Sequence, residues 1–155
     1  MSCRVRKAHV EDVPAIYEIL KRFSVQGLLL PRSYVNLYEM LQSFYVAEDE
    51  RFADRLAGTA SLQVAWEDLA ELRSLAVEEN SRSRGLGRAL AEKAEQDAAR
   101  LKVKKMFVLT FVPEFFIKLG YRQVSLDSLP QKIWAVCFNC VHYPNCKEIA
   151  LVKDI

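Results

Sequence analysis

Nowhere does the sequence string together the roughly 20 apolar residues that a bilayer-crossing helix needs, and Met1-Ser2-Cys3-Arg4 does not open a secretory signal peptide. No membrane role is expected, and the expected location is cytoplasmic. Charge of one sign is also missing. The 22 basic residues face 20 acidic ones, and the net charge of +2 is too small for a global field that would gather nucleic acid. Repeats, low-complexity segments and dividing linkers are lacking too, so residues 1–155 read as a single domain. With 51% apolar residues, a chain of 155 residues can bury a substantial core without disulfide support.

What the sequence does hold is an alternation of strand and helix patterns. Cys3 to Ala8 reads as a strand, and Val13 to Phe23 as a helix with Pro14 in its first turn. Ser33 can cap a second helix through Leu41. Strand patterns follow at Phe44 to Ala47, Leu56 to Trp66 and Leu69 to Val77. A long helix then runs from Gly85 to Leu101, with Leu86, Leu90, Ala94 and Leu101 on one face. Met106 to Phe111 is a further strand, Pro113 starts a short helix that Gly120 ends, and another strand begins at Tyr121.

The most informative stretch is Arg82-Ser83-Arg84-Gly85-Leu86-Gly87, between an apolar strand and the long helix. A narrow glycine turn at a helix start leaves backbone N–H groups pointing outward into a positive field, which suits a pyrophosphate. Strand, basic glycine turn and helix in this order resemble the GNAT acetyltransferases, whose Q/R-x-x-G-x-G/A signature is matched by Arg82, Gly85 and Gly87. The resemblance implies an α/β (α+β) fold, with helices on both faces of a mixed central sheet, and acetyl-CoA as co-substrate. It assigns the CoA pyrophosphate to Arg82, Ser83, Arg84, Gly85, Leu86, Gly87 and Arg88, and the pantetheine arm to the backbone of Leu75, Ala76 and Val77. Gly87 is expected to be glycine because a side chain there would collide with the phosphates.

A second landmark, Pro113-Glu114-Phe115-Phe116-Ile117-Lys118-Leu119-Gly120-Tyr121, resembles the F-Y-x-K-x-G-F segment of many GNAT enzymes. In that segment the tyrosine often protonates the departing CoA thiolate. Phe116 stands at its position and has no proton to give. Tyr121 is expected in the core. A general base is still required, because an amine acceptor arrives largely protonated. Glu71 lies eleven residues ahead of Arg82, the offset at which histone-acetylating GNAT enzymes carry their glutamate base. Burial would raise its pKa toward the working pH, whereas a salt-bridged strand carboxylate is the alternative.

Four segments together, Leu28 to Ser33, Glu71 to Val77, Phe107 to Thr110, and Glu114 to Phe116 with Gly120, are similar to the short, single-domain N-acetylglutamate synthases of bacterial arginine biosynthesis. That resemblance implies acetyl transfer to the α-amino group of L-glutamate. A dicarboxylate calls for fixed cations, and arginine offers a planar fork to each carboxylate. Arg32 and Arg73 are the candidates. Arg73 and Glu71 are two apart and share one face of an extended strand, which leaves Ser74 facing the other way. Another small amine or a protein N-terminus as acceptor, a non-catalytic acyl-CoA-binding module, and a homodimer all stay open.

The carboxyl end gathers Cys137, Cys140, His142 and Cys146, enough ligands for a tetrahedral structural zinc. Reduced cysteines packed on the sheet and a redox-sensitive pair are the alternatives. Acetyl transfer itself needs no metal.

Overall fold

A computed structural model of the chain describes residues 3–51, 56–130 and 148–155. Alternating side chains set its layers. In β2 (Phe44–Asp49), Tyr45 and Ala47 enter one core cluster while Phe44 and Val46 enter another on the opposite side of the sheet. The other strands are β1 (Cys3–Lys7), β3 (Gly58–Trp66), β4 (Leu69–Val77), β5 (Lys105–Thr110), β6 (Arg122–Val124) and β7 (Ile149–Asp154). Together they form a seven-stranded mixed sheet in the order β1-β2-β3-β4-β5-β7-β6. The helices are α1 (Val13–Val25), α2 (Tyr34–Glu39), α3 (Leu86–Arg100) and α4 (Pro113–Lys118).

Helix α1 starts where Pro14 costs no hydrogen bond and lays Val13, Ile16, Ile19 and Leu20 against Phe44 and Val46. Ser33 caps α2, its hydroxyl accepting from the Asn36 N–H at 3.0 Å. On the other face α3 buries Leu86, Leu90, Ala91, Ala94 and Ala98, a stripe small enough to let the helix lie close to the sheet. Leu101 does not join that stripe and is 60% exposed, because the helix closes at Arg100 and the chain has already turned away. Strand β7, for which the sequence pattern gave no expectation, inserts between β5 and β6 and pairs antiparallel with both.

Two irregularities shape the sheet's centre. First, β4 and β5 pair in parallel only at Leu69–Lys105, Ala70–Met106 and Glu71–Phe107. Beyond Glu71 they part. Second, β4 carries a bulge: Ser61 faces Arg73 and Thr59 faces Ala76, so Ser74 and Leu75 together oppose Ala60. Ser74 takes φ of 53°, a left-handed conformation that costs a non-glycine residue about 1–3 kcal/mol. The bulge also reverses the strand's phase. Ala70 and Leu72 belong to the α3 layer, and after the bulge Leu75 and Val77 do, while Ala76 turns to α1.

Candidate active site

The glycine turn is a tight helical turn over Glu79–Arg84, closed by Gly85 in the left-handed region at φ 76°. A Cβ at Gly85 would meet nothing within 4 Å, so the backbone conformation alone calls for glycine there. Gly85 offers no side-chain cap, and the N–H groups of Leu86, Gly87 and Arg88 stand in the first turn of α3, where helical N–H groups lack an intrahelical acceptor and point out along the axis. Ser83 lies within the same turn. These amides and the positive end of the helix dipole suit a phosphate group.

The turn's arginines divide their roles. Arg82 is exposed at the turn, with Nε donating to the Val77 carbonyl at 3.2 Å and its guanidinium 5.7 Å from the Phe23 ring. Arg88 is exposed too, near Glu92 at 3.7 Å. The Arg84 guanidinium instead turns back beneath the turn, 3.6 Å from the buried Asp49 carboxylate and 3.3 Å from Cys3 Sγ. Asp49 also accepts from Arg51 Nη2 at 2.9 Å and from the Ser81 hydroxyl at 3.1 Å. Arg51 in turn donates to the Asn80 carbonyl at 2.8 Å. Those hydrogen bonds, Arg51's foremost, hold the Asp49 carboxyl well below the ordinary carboxylate range. This buried hub fixes the turn to the end of β2. Its members are scattered in sequence, and only hydrogen-bond geometry reveals them.

Gly87 has a neighbour that the sequence did not suggest. A Cβ there would lie 3.0 Å from Phe115 Cζ and 3.2 Å from its Cε2. The glycine therefore admits the Phe115 ring as well as leaving the turn open.

Where β4 and β5 part, a cleft of about 1170 Å³ opens, running from Gly87, Arg82 and Val77 to Glu71, Arg73 and Arg32. Leu75 and Ala76 line it as well. On β4, Glu71 and Arg73 share a face, as strand alternation requires, with Arg73 Nε 3.5 Å from Glu71 Oε1. The Glu71 side chain is only 17% exposed. Burial raises its pKa to about 7; Arg73 and Arg32 pull against that shift, and Glu148, which also lines the cleft, adds to it. A carboxyl at that value is divided between acid and base at neutral pH, as a proton acceptor should be.

Arg32 reaches this spot from the loop before α2. Its Nε donates to Ser74 Oγ at 2.9 Å, its Nη1 donates to Asn36 Oδ1 at 2.8 Å, and its guanidinium lies 5.1 Å from the Phe44 ring. Burial and the charge of Arg73 lower its pKa to about 10, which leaves it a cation at neutral pH. The expectation that Ser74 faces away from Glu71 and Arg73 fails here. The bulge turns Ser74 onto their face, and the reversal of phase is the physical reason.

Phe116 is 5% exposed and stacks edge-on against Phe115 and Tyr121, at centroid distances of 5.0 and 5.7 Å. Tyr121 is 3% exposed, and its hydroxyl donates to Glu95 Oε2 at 3.0 Å. Lys153 holds the other Glu95 oxygen at 2.8 Å. The expected core position of Tyr121 is what the packing shows. Cys137, Cys140, His142 and Cys146 lie outside the described residues.

The profile of the acetyltransferase (GNAT) family matches residues 13–121, from α1 through the turn and α3 to Tyr121. The chain belongs to the GNAT acetyltransferase family. An uncharacterized N-acetyltransferase of Chlorobaculum tepidum is 38% identical over 151 residues, covering 97% of this chain and 96% of its own length. An amino-acid acetyltransferase of Mycobacterium tuberculosis is 37% identical over 125 residues, 79% of this chain and 71% of that protein. Among solved structures, N-acetylglutamate synthase from Neisseria gonorrhoeae, complexed with coenzyme A and N-acetyl-glutamate, superposes with a TM-score of 0.89 at 26% identity. That superposition takes in 99% of this chain and 35% of the Neisseria chain. A Mycobacterium tuberculosis protein in complex with CoA gives a TM-score of 0.86 at 28% identity, covering 98% of this chain and 99% of its own. This GNAT protein is an acetyl-CoA-dependent N-acetyltransferase. No helix among the described residues is long and apolar enough to cross a membrane.

Proposed function

We propose that the acceptor is L-glutamate and that the chain performs N-acetylglutamate synthesis, the first step of arginine biosynthesis. The observation that carries this reading is the convergence of Arg32 and Arg73 on Glu71 inside one cleft, two cations flanking a carboxyl held near neutrality. Two arginines match the two carboxylates of glutamate, and a base between them meets the α-ammonium. The amino-acid acetyltransferase relative and the N-acetylglutamate synthase neighbour support the same acceptor class.

Acetyl-CoA spans the cleft, its pyrophosphate on the amides of the Arg82–Arg88 turn and its pantetheine arm along Leu75, Ala76 and Val77, where β4 keeps β3 on one side and has parted from β5 on the other. Of the turn's side chains, Arg82 and Arg88 face solvent and add positive field, whereas Arg84 contributes through its backbone. Glu71 accepts a proton from the α-ammonium, directly or through a water. The amine nitrogen then bonds to the acetyl carbonyl carbon, the C–S bond breaks, CoA leaves as a thiolate, and the nitrogen gives up its second proton to solvent as the amide forms. Phe116 supplies no proton to it, and solvent protonates this good leaving group.

Turnover of acetyl-CoA against a panel of free amino acids tests the reading. Glutamate should be preferred to glutamine and leucine. Equal use of leucine would overturn the dicarboxylate site, and acceptance of peptide N-termini alone would move the assignment to protein acetylation.

A further inference from the structure

Arg32 enters the cleft from a loop, and a loop arginine with four side-chain torsions gives up rotamer freedom when it is held. The structure shows what holds it. Ser74 Oγ takes the Nε proton at 2.9 Å, Asn36 Oδ1 takes one Nη1 proton at 2.8 Å, and Phe44 underlies the guanidinium at 5.1 Å. Asn36 is itself fixed by the capped first turn of α2, where its N–H meets Ser33 Oγ. Ser74 can reach Arg32 only because of the bulge: in regular alternation its hydroxyl would point into the α3 layer. The left-handed φ of 53° is thus tied to a definite contact.

The geometry points to Ser74 as a positioning residue for acceptor recognition, which fixes Arg32 so that only its Nη1/Nη2 edge is presented to a substrate carboxylate. With Nε engaged, the Nε/Nη2 fork is closed to bidentate binding, and three of the five N–H groups are left on or beside the far edge. The inference rests on the reading that Arg32 holds a carboxylate of the acceptor. Ser74 neither takes nor gives a proton in the transfer. Its effect belongs in the acceptor's KM.

Ser74→Ala and Ser74→Gly separate the hydroxyl from the backbone. Alanine tolerates the left-handed bulge no better than serine, whereas glycine adopts it freely, so their stabilities should differ. Both should raise KM for glutamate about tenfold, the scale of one lost hydrogen bond to a charged group, and leave kcat and the KM for acetyl-CoA within about twofold. In an Arg32→Ala background, already weakened toward glutamate, adding Ser74→Ala should change nothing further. A KM for glutamate that is normal in both Ser74 variants, while Arg32→Ala raises it, overturns the positioning role and leaves the acceptor reading standing. A Ser74→Ala effect that persists without Arg32 overturns it as well, because Ser74 would then act on its own. If Arg32→Ala itself leaves KM for glutamate unchanged, the acceptor reading fails and the positioning role falls with it.

Discussion

Replacing Glu71 by Gln removes the titrating carboxyl while keeping its shape, and the structure fixes what should follow. Burial has lifted this carboxyl from an ordinary value of 4.5 to about 7. Between those values the unfolded chain has released the proton while the folded chain keeps it. Stability therefore falls as pH rises, by about 1.4 kcal/mol per pH unit, and levels off above pH 7. The accumulated penalty is about 3 kcal/mol at alkaline pH. Gln mimics the protonated acid, so Glu71→Gln should match wild type at the acid end of the window and be more stable above neutrality by up to that amount. Denaturant melts at pH 5 and pH 8 read this directly. Turnover should move the other way, falling about 10²-fold at neutral pH if Glu71 accepts the ammonium proton. Wild type should lose rate as pH drops through about 7, while the variant regains rate at high pH, where the amine arrives deprotonated. Single-turnover measurement isolates the chemical step from product release. An unchanged single-turnover rate at pH 7 would refute the base assignment. Equal stability of the two proteins at pH 8 would refute the buried-carboxyl argument independently.

Arg73→Ala should raise KM for glutamate by roughly 30-fold, about 2 kcal/mol, with little change for acetyl-CoA; an unchanged ratio of glutamate to leucine turnover would count against it. Gly87→Ala drives a Cβ into Phe115 at 3.0 Å and should cost about 1–3 kcal/mol of stability. Adding Phe115→Leu should restore the melt without restoring CoA affinity, and normal calorimetric binding by the double variant would show that the glycine serves only the ring. Tyr121→Phe removes the hydrogen bond to Glu95 and should lower stability by about 1–2 kcal/mol while kcat stays at the wild-type value. A fall in kcat at full stability would give that phenol a part in the chemistry.

Local sequence carried the elements that obey a period. The strand–turn–helix over residues 69–100 was legible because alternation, a glycine pair and a helical stripe follow one another. The pairing of Glu71 with Arg73 followed from the same alternation. Strict alternation puts Ser74 on the wrong face for a definite reason. A bulge adds one residue and inverts every later side chain, and a serine in the left-handed region has no marker in sequence comparable to glycine. Strand β7 carries no comparable local signal, because its partners, β5 and β6, are set by sheet order rather than by any adjacent turn. The Asp49 hub joins residues from 3 to 84, and no spacing rule connects them.

The parting of β4 from β5 has a further consequence for how the domain comes undone. Among the described residues, only three strand pairs, with the Lys104 and Lys105 N–H bonds to the Asp68 carbonyl beside them, carry the backbone pairing between the β1–β4 half of the sheet and the β5–β7–β6 half. Such a seam is where a protein divides into separately opening units. A ligand lying along the gap touches both units and makes their opening a single event. It adds stability as RT ln(1 + [L]/Kd), about 2.7 kcal/mol at a hundredfold excess over Kd. Amide exchange in β5 and β7 should then report how fully the cleft is occupied, with the substrate acting as the stitch that the backbone leaves out.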